Sequence, residues 1–352
     1  METKLVDLLD KLNREHSLEL EEYQFLLENI NPDLMNLAAE YARKYQNQYY
    51  GNKVYIRGLV EFTNYCRNNC YYCGIRRGNN NCERYRLKAD DIIACADEGY
   101  KLGFRTVVLQ GGEDFTYSDE DICNIIKGIK ASHNDMVITL SIGERERDSY
   151  QKYFDAGARR FLLRHETANP ELYAKLHPKE LSFEHRMKCL HDLKDIGYQV
   201  GAGFMVQSPG QTPKDIAMDL KFIEEFKPDM CGIGPFISHK ETPFAKEASG
   251  TLEMTLFLIS LLRMIYPQML IPATTALGTI DPRGREKGIQ AGANVVMPNL
   301  SPTSVRKMYT LYDNKICTGE EAAECINCLK NRIASVGYEI VTDVGNRAGF
   351  ID

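Results

Sequence analysis

The sequence predicts an α/β fold, a (β/α)8 TIM barrel with an N-terminal helical extension and a C-terminal cysteine-containing extension. Short apolar segments of strand length alternate with amphipathic helical segments along most of the 352 residues. Hairpin turn signals do not separate the strands, which favours a parallel sheet. Eight units close a barrel of this kind. The predicted strands lie at 54–63, 106–111, 136–142, 159–166, 199–206, 230–236, 270–276 and 294–298.

The elements divide the chain into three predicted parts. Residues 1–50 carry apolar residues at helical spacing in "LVDLLDKL" and "LEEYQFLLENI", and Pro32 and Asp33 mark the start of a further helix. We expect these helices to pack on a barrel formed by residues 51–311. Residues 312–352 change in character and form the C-terminal extension, which holds a second group of cysteines.

Composition excludes several classes of protein. The longest apolar runs fall short of the ~18 residues of a membrane span, and the charged start of the chain does not resemble a signal peptide. We therefore expect a cytoplasmic protein with no membrane partner. The formal net charge of −6 argues against a nucleic-acid partner. Eleven cysteines in a large chain of this kind argue against a disulfide framework.

Polar sequences follow six of the predicted strands. Functional groups in such barrels lie at the carboxyl ends of the strands. Because polar residues recur at so many strand ends, packing alone does not explain them. These sequences are the cysteine loop after the first strand, "QGGED", "TLSIGE", "LRHETANP", "PATTALGT" and "MPNLSP".

The loop after the first strand holds Cys66, Cys70 and Cys73 in the spacing C-x3-C-x2-C, with Tyr72 just before the last cysteine. Thiolates bind zinc or iron–sulfur clusters, and a structural zinc site normally has four protein ligands. Three cysteines leave one iron of a [4Fe-4S] cluster open to a small chelating molecule. The spacing alone also leaves open a zinc site with a distant fourth ligand, or three incidental cysteines.

A second group, Cys317, Cys325 and Cys328, has the spacing C-x7-C-x2-C. This spacing is compatible with a cluster, with zinc or with free thiols. The remaining cysteines are scattered, several of them in apolar stretches, and are interpreted as small buried hydrophobic residues. These are Cys82, Cys95, Cys123, Cys189 and Cys231.

The motif C-x3-C-x-aromatic-C after the first barrel strand resembles the signature of the radical S-adenosylmethionine (SAM) superfamily. This resemblance implies that Cys66, Cys70 and Cys73 hold a [4Fe-4S] cluster. SAM would chelate the open iron through its amino and carboxylate groups and would be cleaved reductively to a 5′-deoxyadenosyl radical. The "GGE" within "QGGED" resembles the superfamily motif that contacts the methionyl amine of SAM.

The segments "LRHETANP", "GAGFMV..PGQT", "IPATTALGTI" and "GANVVMPN" resemble the HydE family of [FeFe]-hydrogenase maturases, over about residues 54–328. For SAM, the resemblance implies that Tyr72 lies against the adenine, Glu166 holds the ribose and Arg186 pairs with the carboxylate. The residues that would serve the methionyl amine are Gln110, Gly111, Gly112 and Glu113. Gly111 stands where some relatives have serine. The residues that would line the substrate cavity are Thr139, Arg164, Met230, Thr274, Thr275, Met297 and Tyr309.

The same resemblance implies a reaction and its partners. The substrate would be a small organometallic complex, Fe(CO)2(CN)(cysteine), made by HydG, and the radical would attack the cysteine sulfur. HydG and HydF would be pathway partners, and ferredoxin or flavodoxin the reductant. The second cysteine group would hold a peripheral cluster that is not essential to the chemistry.

Three alternatives stay open. A methylornithine synthase would rearrange lysine, an amino-acid substrate, in a similar barrel, but the second cysteine group favours HydE. A biotin synthase needs a cluster held by cysteines on strands, and only Cys231 lies clearly on a predicted strand. A non-catalytic iron–sulfur scaffold would not need the "GGE" sequence or the polar strand ends.

Overall fold

A computed structural model describes residues 2–318 and 326–350. Helices cover both the N-terminal region and the segments between strands. They are α1 (Glu2–Glu15), α2 (Leu20–Glu28), α3 (Pro32–Tyr50), α4 (Ala89–Lys101), α5 (Asp119–Ser132), α6 (Arg147–Ala156), α7 (Pro170–Leu176), α8 (Phe183–Ile196), α9 (Pro213–Phe226), α10 (Leu252–Ile265), α11 (Thr275–Ile280), α12 (Gly284–Gln290), α13 (Thr303–Arg306) and α14 (Ile326–Ala334). Among the described residues, none of the helices is both long and apolar enough to cross a bilayer.

The strands are short and mostly buried. They are β1 (Lys53–Ile56), β2 (Gly58–Thr63), β3 (Thr106–Gly111), β4 (Val137–Ser141), β5 (Arg160–Leu162), β6 (Gln199–Ala202), β7 (Met205–Val206), β8 (Met230–Cys231), β9 (Gly234–Pro235), β10 (Val295–Val296) and β11 (Glu339–Val341). The named strand pairs are all parallel.

The parallel strands follow the circuit of a (β/α)8 barrel. Strands β2, β3, β4, β5, β6 and β8 are neighbours in that order. Isolated parallel bridges continue the circuit from Met230 to Leu270 and from Pro272 to Val295, and β10 pairs with β1. The eight predicted strand positions therefore coincide with the positions of this circuit, and their carboxyl ends meet at one mouth.

The seventh strand was predicted too long. Only single bridges at Leu270 and Pro272 represent it, and α11 begins at Thr275 with Thr274 as its N-cap residue. The apolar run "LIPA" marks the buried segment correctly, but Pro272 has no N–H to donate to a ladder, which limits regular pairing.

The N-terminal helices pack on the outside of the barrel, α2 against α9 and α3 against α10. Helix α3 begins as predicted: Pro32 is its first residue, and the side chain of Asn31 accepts a hydrogen bond from the N–H of Leu34. Gly51, with φ +62°, ends it and turns the chain into β1.

The C-terminal residues return to the floor of the barrel. Strand β11 pairs with β1, so the end of the chain adds a strand beside the first barrel strand. Beyond it, the backbone oxygen of Val344 accepts hydrogen bonds from Thr106 (2.8 Å) and Arg160 (3.0 Å). The side chain of Asn346 accepts from Arg160 and Gln199. The tail therefore covers the end of the barrel opposite the polar mouth.

Candidate active site

The loop that carries Cys66, Cys70 and Cys73 lies across the mouth of the barrel, where β2 ends. Backbone hydrogen bonds attach it to three other segments, and all three sulfur-bearing residues are half-buried. These bonds run from Arg67 N to Glu113 O (3.0 Å), from Tyr71 N to Leu176 O (3.0 Å) and from Gly74 N to Leu311 O (2.8 Å).

The three thiols share one electrostatic environment. Burial raises the pKa of each, that of Cys73 to about 12, and the charges of Cys73 and Cys66 raise the pKa of Cys70 further. Thiolates that close together are costly to bury without a cation, and iron supplies that cation. Among the described residues, no three histidine, cysteine, aspartate or glutamate side chains converge on a single ion position. Cysteine thiolates are the donors that iron–sulfur clusters use, so the chemistry of the three side chains fits such a cluster.

The glycines of "QGGED" make room for the cysteine loop. A Cβ on Gly112 would come within 2.1 Å of the backbone oxygen of Tyr65 and 2.8 Å of Cβ of Cys66. A Cβ on Gly111 would meet a methyl of Thr63 at 2.7 Å. Gly112 is therefore needed for close approach of β3 to the loop, because the atom it would meet belongs to the backbone.

The carboxylate of Glu113 clamps that loop. It accepts hydrogen bonds from Nε of Arg67 (2.6 Å), from Nδ2 of Asn68 (3.0 Å) and from the N–H of Glu144 (2.9 Å). The backbone N–H of Glu113 also donates to the sulfur of Cys66 (3.3 Å). Contact with a methionyl amine remains a prediction for this residue. Gln110 donates to the hydroxyl of Tyr309 instead (3.4 Å).

Sequence reasoning missed the next residue, Asp114. Its carboxylate accepts two hydrogen bonds from Arg86 (2.6 and 3.1 Å) and one from Thr63 (2.8 Å). Burial raises the pKa of Asp114, but these hydrogen bonds outweigh burial and the net shift is downward. The sequence feature that could have identified Asp114 is the second acidic residue of "QGGED". Asp114 joins β2, β3 and the segment after the cysteine loop.

Arg186 lies on the buried face of α8 and points toward the mouth. It donates from Nε to Oε1 of Glu144 (2.5 Å) and from Nη1 to the backbone oxygen of Arg164 (2.6 Å). Burial lowers its pKa, but the neighbouring anionic groups outweigh burial and the net shift is upward. Glu144 was not identified from sequence, although it ends the strand-end sequence "TLSIGE". It holds Arg186 in a charged, buried state.

Arg164 and Glu166 lie side by side beyond the end of β5 at Leu162, so the predicted strand 159–166 was also too long. Nη2 of Arg164 is 3.0 Å from Oε2 of Glu166, yet neither atom makes a well-aligned hydrogen bond. Glu166 has φ +67°, a left-handed conformation that is unfavourable for a residue with a side chain. Strain and unsatisfied atoms at one place are typical of a ligand site.

His165 points to the opposite side and supports this turn. Its Nε2 lies 3.3 Å from Oδ1 of Asp219 without a well-aligned hydrogen bond, and that oxygen accepts from the N–H of Ala168 (2.5 Å). Burial lowers the pKa of His165 to about 3 and raises that of Asp219. Asp219 comes from α9, and sequence reasoning did not identify it.

Tyr72 lies in an apolar cluster beside the trio, with Leu172, Leu176 and Phe236 among its neighbours. Its hydroxyl is 3.1 Å from Nε2 of His177, whose Nδ1 is 2.9 Å from the backbone oxygen of Tyr173. Because a carbonyl oxygen only accepts, Nδ1 of His177 carries the proton and Nε2 accepts from Tyr72. Burial lowers the pKa of His177 to about 3, so the ring is neutral.

These groups form one site. Besides burial, the charges of Cys73, Cys66, Arg186 and Glu166 act on the pKa of Cys70. The charges of Glu166, Cys70 and Arg186 likewise act on the pKa of Tyr72. The barrel thus brings together side chains from the cysteine loop, the segment after β5 and helix α8.

Deeper in the barrel, a narrow cavity is lined by Thr139, Gly201, Met230 and Leu270, among others. The sulfur of Met230 accepts from Nη1 of Arg57 (3.1 Å), and Met297 packs in the same apolar cluster as Met230. The hydroxyls of Thr139 and Thr274 are buried without a hydrogen-bond partner. Unpartnered hydroxyls of this kind are available to a ligand.

Two predicted cavity residues have partners within the protein. The hydroxyl of Thr275 accepts from Nη2 of Arg285 (3.3 Å), so it turns away from Thr274 toward the second cysteine group. Tyr309 is buried beside Lys315, whose ammonium also bonds Glu61 (2.5 Å). Whether either residue contacts a substrate remains a prediction.

The second cysteine group is described in part. Cys317 accepts a hydrogen bond from Arg285 (3.2 Å), and Cys328 is an exposed residue of α14 whose sulfur is in a disulfide. A disulfide sulfur does not ligate iron until it is reduced. Cys325 lies outside the described residues. The second cluster therefore stays a prediction.

Comparison with known proteins places this site in context. A sequence model of the radical SAM superfamily matches residues 60–223. The chain is 47% identical over 318 residues to the [FeFe] hydrogenase maturase subunit HydE of Thermotoga maritima, which covers 90% of this chain and 89% of that protein. It is 29% identical over 300 residues to 3-methylornithine synthase of Methanosarcina acetivorans, with 85% and 83% covered.

The solved structures agree with the described architecture. The crystal structure of methylornithine synthase superposes with a TM-score of 0.82 at 26% identity, covering 95% of this chain and 97% of that chain. The match extends over the N-terminal helices, the parallel sheet and the C-terminal region together.

Proposed function

The chain belongs to the radical SAM superfamily and to the HydE family of maturases, and we propose that it cleaves SAM reductively in the assembly of the [FeFe]-hydrogenase cofactor. The observation that carries the proposal is that three half-buried cysteines of one loop lie near Tyr72, Glu166 and Arg186. When bound, a [4Fe-4S] cluster and SAM would supply the electron and the 5′-deoxyadenosyl radical.

We propose that Cys66, Cys70 and Cys73 ligate the cluster. Burial raises the pKa of each thiol, and binding of iron in place of the protons would offset the cost of forming buried thiolates. The clamp from Glu113 to Arg67 and Asn68 would keep the loop in place while a ligand occupies the open iron.

The SAM site would lie on the barrel side of the trio. Arg186 would pair with the carboxylate, and Glu166 would accept hydrogen bonds from the ribose hydroxyls through its unsatisfied oxygen. Tyr72 would contact the adenine, and the hydrogen bond to neutral His177 would keep its ring in one orientation. Gln110 and the backbone of Gly111 and Gly112 would border the amine.

The substrate would lie deeper in the barrel, among the predicted cavity residues. We propose a small anionic iron complex with carbonyl, cyanide and cysteine ligands, supplied by HydG. Arg164, Thr139 and Thr274 offer unsatisfied donors, while Met230 and Met297 offer soft apolar contacts. Thr275 and Tyr309 would contact the substrate at the edge of this space. HydF would receive the product, and ferredoxin or flavodoxin would reduce the cluster.

Anaerobic reconstitution tests the proposal. The protein with iron, sulfide, SAM and dithionite is expected to form 5′-deoxyadenosine and methionine. Cys70→Ala should abolish both products, and Cys123→Ala, a half-buried cysteine on α5, should form them as the wild type does. Wild-type protein that binds a cluster but forms neither product would contradict the proposal.

Substrate assays separate the two related functions. The HydG product should be consumed with SAM, whereas lysine should be left unchanged. Conversion of lysine to methylornithine would overturn the assignment to hydrogenase maturation in favour of the 29% identical relative's reaction.

We further propose that Cys317, Cys325 and Cys328 hold a peripheral cluster after reduction. Iron content should fall in Cys325→Ala while 5′-deoxyadenosine formation is spared. Equal iron content in the reduced wild type and this variant would contradict a second cluster.

A further inference from the structure

Helix α7 buries a tyrosine whose hydroxyl has no hydrogen-bond partner. The side chain of Tyr173 is 1% exposed, and its oxygen is among the buried polar atoms without a partner in the described part of the chain. An unpartnered hydroxyl in a protein interior destabilises the fold. A tyrosine rather than a phenylalanine at this position is therefore explained if the hydroxyl binds a ligand.

The ring contacts of Tyr173 define where this residue lies. The ring of Tyr173 stacks on His177, with centroids 4.0 Å apart, and its edge meets Phe183 at 5.7 Å. Phe183 opens α8, one helical turn before Arg186. Besides burial, the charges of Arg186, Glu144, Cys70 and Glu166 act on the pKa of Tyr173. The ring of Tyr173 therefore lies between the first turn of α8 and His177, which pairs with Tyr72 beside the cysteine trio.

Arg186 has one donor atom to spare in this region. Its Nε is used by Glu144 and its Nη1 by the backbone oxygen of Arg164. Within the described residues, Nη2 donates to no protein atom, and Glu144 does not accept from Tyr173. Tyr173 and Arg186 thus each carry an unused donor, and the contact of Tyr173 with Phe183 joins the helices that bear them. Two neighbouring donors beside a cation suit the two oxygens of one carboxylate.

We propose that the hydroxyl of Tyr173 and Nη2 of Arg186 together bind the carboxylate of the methionyl group of SAM, with one oxygen accepting from each. Tyr173 is then a binding residue that the sequence motifs do not identify. This inference rests on the proposed function, because it presupposes that SAM occupies the site beside the trio.

The test is Tyr173→Phe in cluster-reconstituted protein, with SAM affinity measured by anaerobic calorimetric titration. The variant should raise the Kd of SAM about tenfold, since one hydrogen bond to a charged group is lost. Decarboxylated SAM should bind wild type and variant equally, because it lacks the acceptor. Without ligand, the variant should be as stable as the wild type or more stable.

Tyr198→Phe is the matched control, because its hydroxyl is also buried but donates to the backbone oxygen of Tyr150 (2.8 Å), away from the site. It should lose stability and keep the wild-type Kd of SAM. An unchanged Kd of SAM in Tyr173→Phe, or an equal loss for both ligands, would overturn the inference while leaving the proposed function intact. Absence of SAM binding by the reconstituted wild type would overturn both.

Discussion

Arg67 donates a hydrogen bond of 2.6 Å to Oε1 of Glu113, and this contact joins the cysteine loop to the end of β3. The same carboxylate accepts from Asn68 and from the N–H of Glu144. Glu113, the acidic residue of the "GGE" sequence, therefore stabilises the cysteine loop before any ligand is bound.

Replacing this acid should destabilise the ligand-free protein. Glu113→Ala leaves the buried N–H of Glu144 without an acceptor, so the free energy of unfolding should fall by about 1–3 kcal/mol. Iron uptake should fall as well, since the loop loses its clamp. Urea unfolding and iron analysis measure the two effects. Glu180→Ala, at an exposed position, is the control. A stable, iron-replete Glu113→Ala that fails only in SAM binding would restrict Glu113 to a ligand role.

The pair of Arg186 and Glu144 should show strong coupling in a double-mutant cycle. Glu144→Ala leaves a buried guanidinium without its counter-charge, and we expect a loss of about 3–5 kcal/mol in unfolding free energy. Adding Arg186→Met should recover part of that loss, because the uncompensated charge is gone. Glu40→Ala, which breaks an exposed pair with Lys44, should change little. Additive losses in the cycle would contradict the coupling.

Acid should destabilise the fold through His177. Its pKa is lowered to about 3 by burial, whereas an unfolded histidine titrates near ~6.5. Between these values the unfolded chain binds a proton that the folded chain does not, so stability falls as the pH falls. The contribution is about 1.4 kcal/mol per pH unit. In His177→Gln the dependence of unfolding free energy on pH between ~6 and ~4 should be shallower by this amount. An unchanged slope would show that His177 titrates normally.

Gly112→Ala should displace the cysteine loop. The added Cβ would lie 2.1 Å from a backbone oxygen, which cannot turn aside as a flexible side chain can. We expect poor cluster incorporation with an otherwise native circular dichroism spectrum. Gly232→Ala is a matched control, because its nearest contact would be an ordinary 3.6 Å from Pro272. Wild-type iron content in Gly112→Ala would refute the need for close approach.

Local sequence patterns predicted the elements well where they depend on neighbours in the chain. Asn169 caps α7 and Pro170 opens it, as the dipeptide indicates. Periodicity located all eight strand positions, but not the early start of α11 at Thr275. Close packing also governs Gly203, just after β6, where a Cβ would lie 2.0 Å from the backbone oxygen of Gly232.

The sequence by itself determined the barrel, the three-cysteine loop and the family, because periodicity, spacing and motif are properties of contiguous residues. Only the tertiary structure decided which distant side chains share a charge or a proton. Glu144 meets Arg186, His177 pairs with the hydroxyl of Tyr72, and the ring of Tyr173 stacks on His177. These relationships arise because the parallel strands bring their carboxyl ends to one mouth, and in that buried space unpaired polar groups must find partners or ligands.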